Sequence, residues 1–200
     1  MNSAGAQLVC DFTGGAVGHR LRAGGGRGQA LPRAAGFSKG RTPQVVDATA
    51  GLGRDAFLLA SLGAEVTLIE RAPQVHNLLH DGMARATAAG GEVAEIISRM
   101  TLVSGDAKLL LPNMAAEVVL VDPMHPPRGN SALVKQEMRL LRDIVGTDAD
   151  ALDLMQVALK AASKRVALKW PLRAALLAGL PPPSHQIRSK TTRYDVFMTG

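Results

Sequence analysis

Four acidic residues sit at or just past the ends of short apolar runs. Asp47 closes QVVD, Glu70 closes EVTLIE, Asp106 follows MTLVSG, and Asp122 closes EVVLVD. A carboxylate at a strand end can accept hydrogen bonds from ligand hydroxyls or amines. After Asp47 comes DATAGLGRDAF (47–57), in which Gly51 and Gly53 allow a tight turn and close approach of a ligand to the backbone. The loop then enters a helix, whose first N–H groups, at the level of Arg54 and Asp55, favour polar or anionic ligand groups. Glu70 comes 17 residues after Gly53, the placement expected of an acceptor for both hydroxyls of a ribose, and Arg71 flanks it. In SGDA (104–107) Asp106 is placed for an adenine amino group, and Ala107 for a ring nitrogen through its backbone N–H. Alone, an aspartate after a strand is most often a turn former. Three such strand ends in register line the carboxyl edge of a sheet, where ligands of this fold class bind.

The fourth strand end differs. Asp122 is followed by Pro123, Met124, His125, Pro126 and Pro127. This D-P-M-H-P stretch resembles the [DN]-P-P-[YFW] motif of methyltransferases that act on planar exocyclic amines. Such an amine is a poor nucleophile because its lone pair is delocalised into the ring. Acceptance of its two hydrogens by the Asp122 carboxylate and the Pro123 carbonyl would orient the lone pair and stabilise positive charge developing on nitrogen. The prolines stiffen the carbonyl, and His125 stands where an aromatic ring usually stacks on the base.

Two nucleoside cofactors compete for the glycine loop. A dinucleotide would bring its pyrophosphate against Asp55, a like charge, and the third glycine of G-x-G-x-x-G is replaced by Ala56. S-adenosylmethionine carries no phosphate, and its ammonium suits Asp47 or Asp55. Charge complementarity therefore favours the methyl donor. The five histidines are scattered; His76 and His80 share i, i+4 spacing without the H-E-x-x-H context of a zinc site, so no metal is expected.

The elements that must position these residues follow from hydrophobic period. Strands are expected at 44–48, 65–70, 100–107, 117–122 and 165–170. Helices are expected at 51–63, stopped by Gly63, at 73–89, opened by Pro73, at 131–146 and at 149–163. Residues 185–200 read as two strands of a hairpin. Alternation of strand and helix implies right-handed βαβ units, with helices on both faces of a mostly parallel sheet and an antiparallel addition at one edge.

Composition sets the outer limits. Hydrophobic residues make up 46 % of the 200 residues, enough for a packed core. No apolar run spans a bilayer and no signal-peptide core is visible, so a cytoplasmic protein with no membrane partner is expected. The single cysteine, Cys10, excludes an internal disulfide. Most of the net charge of +6 lies early: residues 1–44 hold Arg20, Arg22, Arg27, Arg33, Lys39 and Arg41 against Asp11. A basic segment of this kind points to a polyanion such as nucleic acid. The chain therefore divides by composition into a basic, glycine-rich N-terminal segment (1–43) and a cofactor-binding domain (44–200).

Together, DFTGGAVGHRLRAGGGRGQA, VVDATAGLGRDAFLLASLGAEVTLIER, VDPMHPPRGNSALVKQEMRLLRDIVG and TTRYDVFMTG resemble the RsmJ family, S-adenosylmethionine-dependent methyltransferases of a guanine N2 in small-subunit ribosomal RNA. The resemblance implies a Rossmann-like, seven-stranded class I methyltransferase fold with an antiparallel last strand. It places Arg54, Asp55, Glu70, Arg71, Asp106, Ala107 and Asp122 against the cofactor or the reacting amine. It also assigns Arg20, Arg22 and Arg27 to RNA phosphate. His125 stands where the family carries Phe, and the family has a further N-terminal part that this chain is expected to lack. The amine motif by itself serves DNA adenine or a protein glutamine equally well. A basic RNA-binding assembly factor without turnover is the remaining alternative.

Overall fold

The computed structural model describes residues 8–14, 26–124 and 150–200. The helix expected at 131–146, His125, Arg20 and Arg22 lie outside the described residues.

Among the described residues the strands are β1 (Val45–Asp47), β2 (Val66–Glu70), β3 (Met100–Ser104), β4 (Ala116–Val121), β5 (Ala162–Pro171), β6 (His185–Arg188) and β7 (Thr192–Met198). They form one sheet in the order β3-β2-β1-β4-β5-β7-β6. The first five run parallel, and β7 inserts antiparallel between β5 and β6. The helices are α1 (Ala30–Ala34), α2 (Arg54–Ser61), α3 (Pro73–Ala89), α4 (Gly91–Ile97), α5 (Ala107–Leu110) and α6 (Ala151–Ala161). None is long and apolar enough to cross a membrane.

Period-two alternation splits the strand side chains between two cores. Val45, Leu68, Val118 and Leu120 face one core with α1 to α4, while Val46, Ile69, Val119 and Val121 face the other with α5 and α6. The helix expected at 73–89 is α3, with Pro73 as its first residue and Val75, Leu79 and Ala86 buried. Gly63 ends α2 at φ +96°, with its N–H on the Ala60 carbonyl. Helix α4 has no counterpart in the expected elements. It is two turns long, too short to show a period, and opens on the glycine pair Gly90–Gly91, which reads as a loop.

The described parts of the N-terminal segment share the first core. Leu8, Cys10 and Phe12 are buried, and Phe12 stacks on Phe57 of α2 at 4.9 Å between ring centroids. Gly82 of α3 makes room for this segment: a side chain there would start 2.8 Å from the Cys10 carbonyl oxygen. Burial pushes the Cys10 thiol up to about 12, so it behaves as a small core residue.

The C-terminal hairpin carries a buried ion pair. Arg193 Nε donates to Asp195 at 2.9 Å, and its Nη1 donates to the carbonyls of Pro171, Leu172 and Ala174. One guanidinium thus ties down the turn after β5, which an unpaired buried charge would make costly.

Candidate active site

Parallel register brings the strand ends together. Asp47 lies beside Leu68 of β2 and Leu120 of β4, so Glu70 and Asp122 emerge from the same edge. An open cleft of about 550 Å³ occupies that edge. Thr49, Gly51, Glu70, Arg71, Asp106, Ala107, Lys108, Asp122, Met124 and Asp150 line it, with Ile69 and Leu154 as its apolar floor.

Glu70 is 5 % exposed. Its two oxygens accept from the backbone N–H groups of Gly51 (2.9 Å) and Ala72 (2.8 Å). These bonds fix the carboxylate, and an ionised carboxylate offers about four acceptor sites, enough for ligand hydroxyls as well. Burial pushes the Glu70 carboxyl above its ordinary range, against the effect of those N–H bonds. Gly51 adopts φ +53°, a left-handed conformation that glycine takes without strain, and so turns the chain sharply after its N–H meets Glu70. Gly53, at φ +68°, opens α2, and a side chain there would meet Leu79 at 2.8 Å. The two glycines therefore have different tasks: Gly51 shapes the cleft, and Gly53 lets α2 pack on α3.

Asp106 combines the two roles open to it. Its side chain caps α5 by accepting the Lys108 N–H at 2.9 Å, and it also lines the cleft. Across from it, Asp150 holds Arg71 at 2.9 Å and pairs with the Lys108 ammonium. The Lys108 hydrogen bond holds the Asp150 carboxyl below its usual range.

At the other end, carboxylates from three elements gather around one lysine. Lys169 Nζ of β5 lies 2.7 Å from Asp55 Oδ2 and 2.8 Å from Asp122 Oδ2. Burial opposes the lysine's charge, but Asp55 and Asp122 outweigh it and hold the ammonium well above its ordinary range. Asp47 is 2 % exposed, and Thr49 donates its N–H to Asp47 Oδ1 at 3.1 Å. Burial, then the neighbouring Asp55 and Asp122 charges, push Asp47 up to about 7.

Six of the ten residues expected to hold the cofactor line the cleft: Gly51, Glu70, Arg71, Asp106, Ala107 and Asp122. Asp47, Gly53, Arg54 and Asp55 are not among its lining residues. Pro123 is buried beside the cleft, and Met124 lines it. Arg27, expected at RNA phosphate, has a structural occupation. Its Nη1 donates to the Ser38 and Arg41 carbonyls, its Nη2 to Thr42 Oγ1 and the Leu62 carbonyl, and its guanidinium lies over Phe37.

Thr49, Lys108, Asp150 and Lys169 escaped sequence reasoning. For Lys169 a signal existed. A lysine inside VALKW, between two apolar residues of a strand, is costly unless paired, but its partners, Asp55 on α2 and Asp122 just past β4, lie far off in the chain.

The donor set suits S-adenosylmethionine. Asp55 and Asp122 against Lys169 leave net negative charge that suits a cationic ligand and would repel a pyrophosphate. Glu70 and Asp106 add carboxylate acceptors to the lining of the same cleft. A seven-stranded sheet with antiparallel β7 and such a cleft at its carboxyl edge defines a class I S-adenosylmethionine-dependent methyltransferase. Residues 1–199 match the family described as "Putative SAM-dependent methyltransferase", and the chain belongs to that family. It is 66 % identical over 198 residues to the ribosomal RNA small subunit methyltransferase J of Agrobacterium fabrum, covering 99 % of this chain and 95 % of that protein. It is 67 % identical over 193 residues to the protein of the same name from Brucella anthropi, covering 96 % and 94 %. A crystal structure of an S-adenosylmethionine-dependent methyltransferase from Neisseria gonorrhoeae superposes with a TM-score of 0.77 at 35 % identity, covering 98 % of this chain and 76 % of that one.

Proposed function

We propose that this chain transfers a methyl group to the exocyclic N2 amine of a guanine in small-subunit ribosomal RNA, in the cytoplasm. The observation that carries the reading is the placement of Asp122 in the same cleft as Glu70 and Asp106. A carboxylate that could receive an amine thus shares a cleft with two that could receive a nucleoside. The name shared by its close relatives supplies the substrate class.

When bound, S-adenosylmethionine supplies an electrophilic methyl group on a sulfonium. The protein's part is binding and orientation. Glu70 would accept the ribose hydroxyls, and Asp106 with the Ala107 N–H would take the adenine edge. Asp122 and the Pro123 carbonyl would accept the two amine hydrogens, turning the nitrogen lone pair toward the methyl group. Their negative charge would stabilise the cation that forms on nitrogen before a proton leaves. Arg20 and Arg22 are proposed for phosphate contacts, which position RNA without reading its sequence. His125 is proposed as the surface on which the base stacks.

Nucleoside mass spectrometry after incubation with labelled donor tests this. Small-subunit ribosomal RNA, assembled small subunits, adenine-containing DNA and a glutamine peptide serve as substrates. N2-methylguanine is expected from one of the first two. Asp122→Ala is expected to lower the rate by about 100-fold or more, and full activity in that variant would overturn the mechanism. Methyladenine or methylglutamine would move the substrate to that class. RNA binding without turnover would favour an assembly factor.

A further inference from the structure

We propose that Lys169 is a positioning residue for methyl transfer: its ammonium holds the Asp122 carboxylate in the orientation that receives the target amine, and braces it against Asp55 at the start of α2. This rests on the reading of Asp122 as the amine acceptor.

The geometry is a chain of contacts that runs from α2 across the ends of three neighbouring strands. Asp55 lies on the first turn of α2, and its Oδ2 meets Lys169 Nζ at 2.7 Å. The same nitrogen meets Asp122 Oδ2 at 2.8 Å. On its other side Asp122 is anchored through its backbone, whose N–H donates to Thr49 Oγ1 at 2.7 Å. Thr49 in turn donates its own N–H to Asp47. The ends of β1, β4 and β5 are thereby tied to one carboxylate at the cleft wall.

Stability alone does not account for this arrangement. A lysine recruited to pin α2 to β5 needs only Asp55, whose side chain is 18 % exposed. Lys169 also reaches Asp122, whose side chain is 42 % exposed and lines the cleft. Left to itself, a carboxylate that open would sample several rotamers. A reacting group must instead be held to within a fraction of an ångström. The ammonium restricts the carboxylate and keeps it in the ionised form that can only accept, as an N–H partner requires. One ammonium does not exhaust a carboxylate's four acceptor sites. Two carboxylates against one lysine also leave the cluster negative, as a cationic methyl donor and a developing ammonium need.

The test compares wild type, Lys169→Met and Lys169→Arg; Lys169→Gln replaces the methionine variant if that fails to fold. Thermal melting and calorimetry with S-adenosylmethionine report folding and cofactor binding. Two measurements decide. In steady-state methyl transfer, the methionine variant is expected to lose about 30-fold in kcat, with KM for the donor within about threefold. The acid limb of kcat is expected to move up by about one pH unit or more, because the ammonium no longer favours the ionised carboxylate. Lys169→Arg is expected to recover most of kcat and return the limb. Carboxyl-carbon NMR of aspartate-labelled protein, with the Asp122 signal assigned by Asp122→Asn, is expected to show the same rise in the Asp122 titration. The groups facing Lys169 are Asp55, Asp122 and Tyr194, with Asp47 beside the two aspartates, so the three aspartates are assigned in that spectrum and Tyr194 is followed separately through its ring carbons.

An unchanged Asp122 titration overturns the proposal. So does a loss of melting temperature with kcat and acid limb intact, which would make Lys169 a structural tie. A rise in KM for the donor alone would assign it to cofactor binding instead. The NMR titration needs no substrate, so it decides the role of Lys169 even if wild type methylates no guanine, a result that would sink the substrate reading alone.

Discussion

Asp47→Asn is expected to stabilise the protein at pH 8 and to do so progressively less as the pH falls. Asp47 is 2 % exposed, and burial together with Asp55 and Asp122 pushes its carboxyl from 3.8 to about 7. In the unfolded chain the group returns to its ordinary value. Between about pH 4 and about pH 7 the folded protein therefore binds the proton that the unfolded chain has released. Stability falls as pH rises through that window and levels off above it. At about 1.4 kcal/mol per tenfold difference in proton affinity, the cost above pH 7 is at most about 4 kcal/mol, and about 3 kcal/mol of it accrues between pH 5 and pH 8. Asparagine keeps an acceptor for the Thr49 N–H and carries no charge. Urea unfolding of both proteins without cofactor at pH 5, 6, 7 and 8 reads the difference. The stabilisation by Asp47→Asn should grow across the series with the m-value unchanged. A difference that is flat with pH to within about 0.5 kcal/mol would refute the account of Asp47 as a buried, proton-hungry carboxyl.

Glu70→Gln is expected to weaken S-adenosylmethionine binding by roughly tenfold, since hydrogen bonds to a charged acceptor exceed those to a neutral one. Calorimetry checks it; an unchanged Kd would remove Glu70 from the cofactor site. Arg27→Ala is expected to cost about 1–2 kcal/mol of stability through its lost carbonyl bonds, with the salt dependence of RNA binding unchanged. A shallower salt slope with intact stability would return Arg27 to the RNA surface.

The legible elements were those whose signal is local. Helix α3 showed its period over 17 residues and its proline start, and β4 showed the apolar run Val118–Val121. The C-terminal hairpin showed itself by strand-forming residues around a turn. Helix α4 was not legible, because seven residues after two glycines carry too little periodicity. The described N-terminal residues read as a separate basic segment, yet Leu8, Cys10 and Phe12 are core, since three alternating apolar positions gain meaning only against the Gly82 face of α3.

The site divides the same way. Strand-end carboxylates and loop glycines are features of single segments, and from the sequence alone they indicated a nucleoside cofactor beside an amine acceptor. Which of them touch the cleft depended on the folded edge of the sheet, where Gly51 and Asp122 line it and Asp47 and Asp55 do not. Partners far apart in the chain were invisible for a plainer reason. Lys169 lies 114 residues from Asp55, and Asp150 lies 79 from Arg71. Charge pairing acts through space over a few ångströms, so only the folded sheet, by placing β5 beside β4 and α2, could decide that these groups meet.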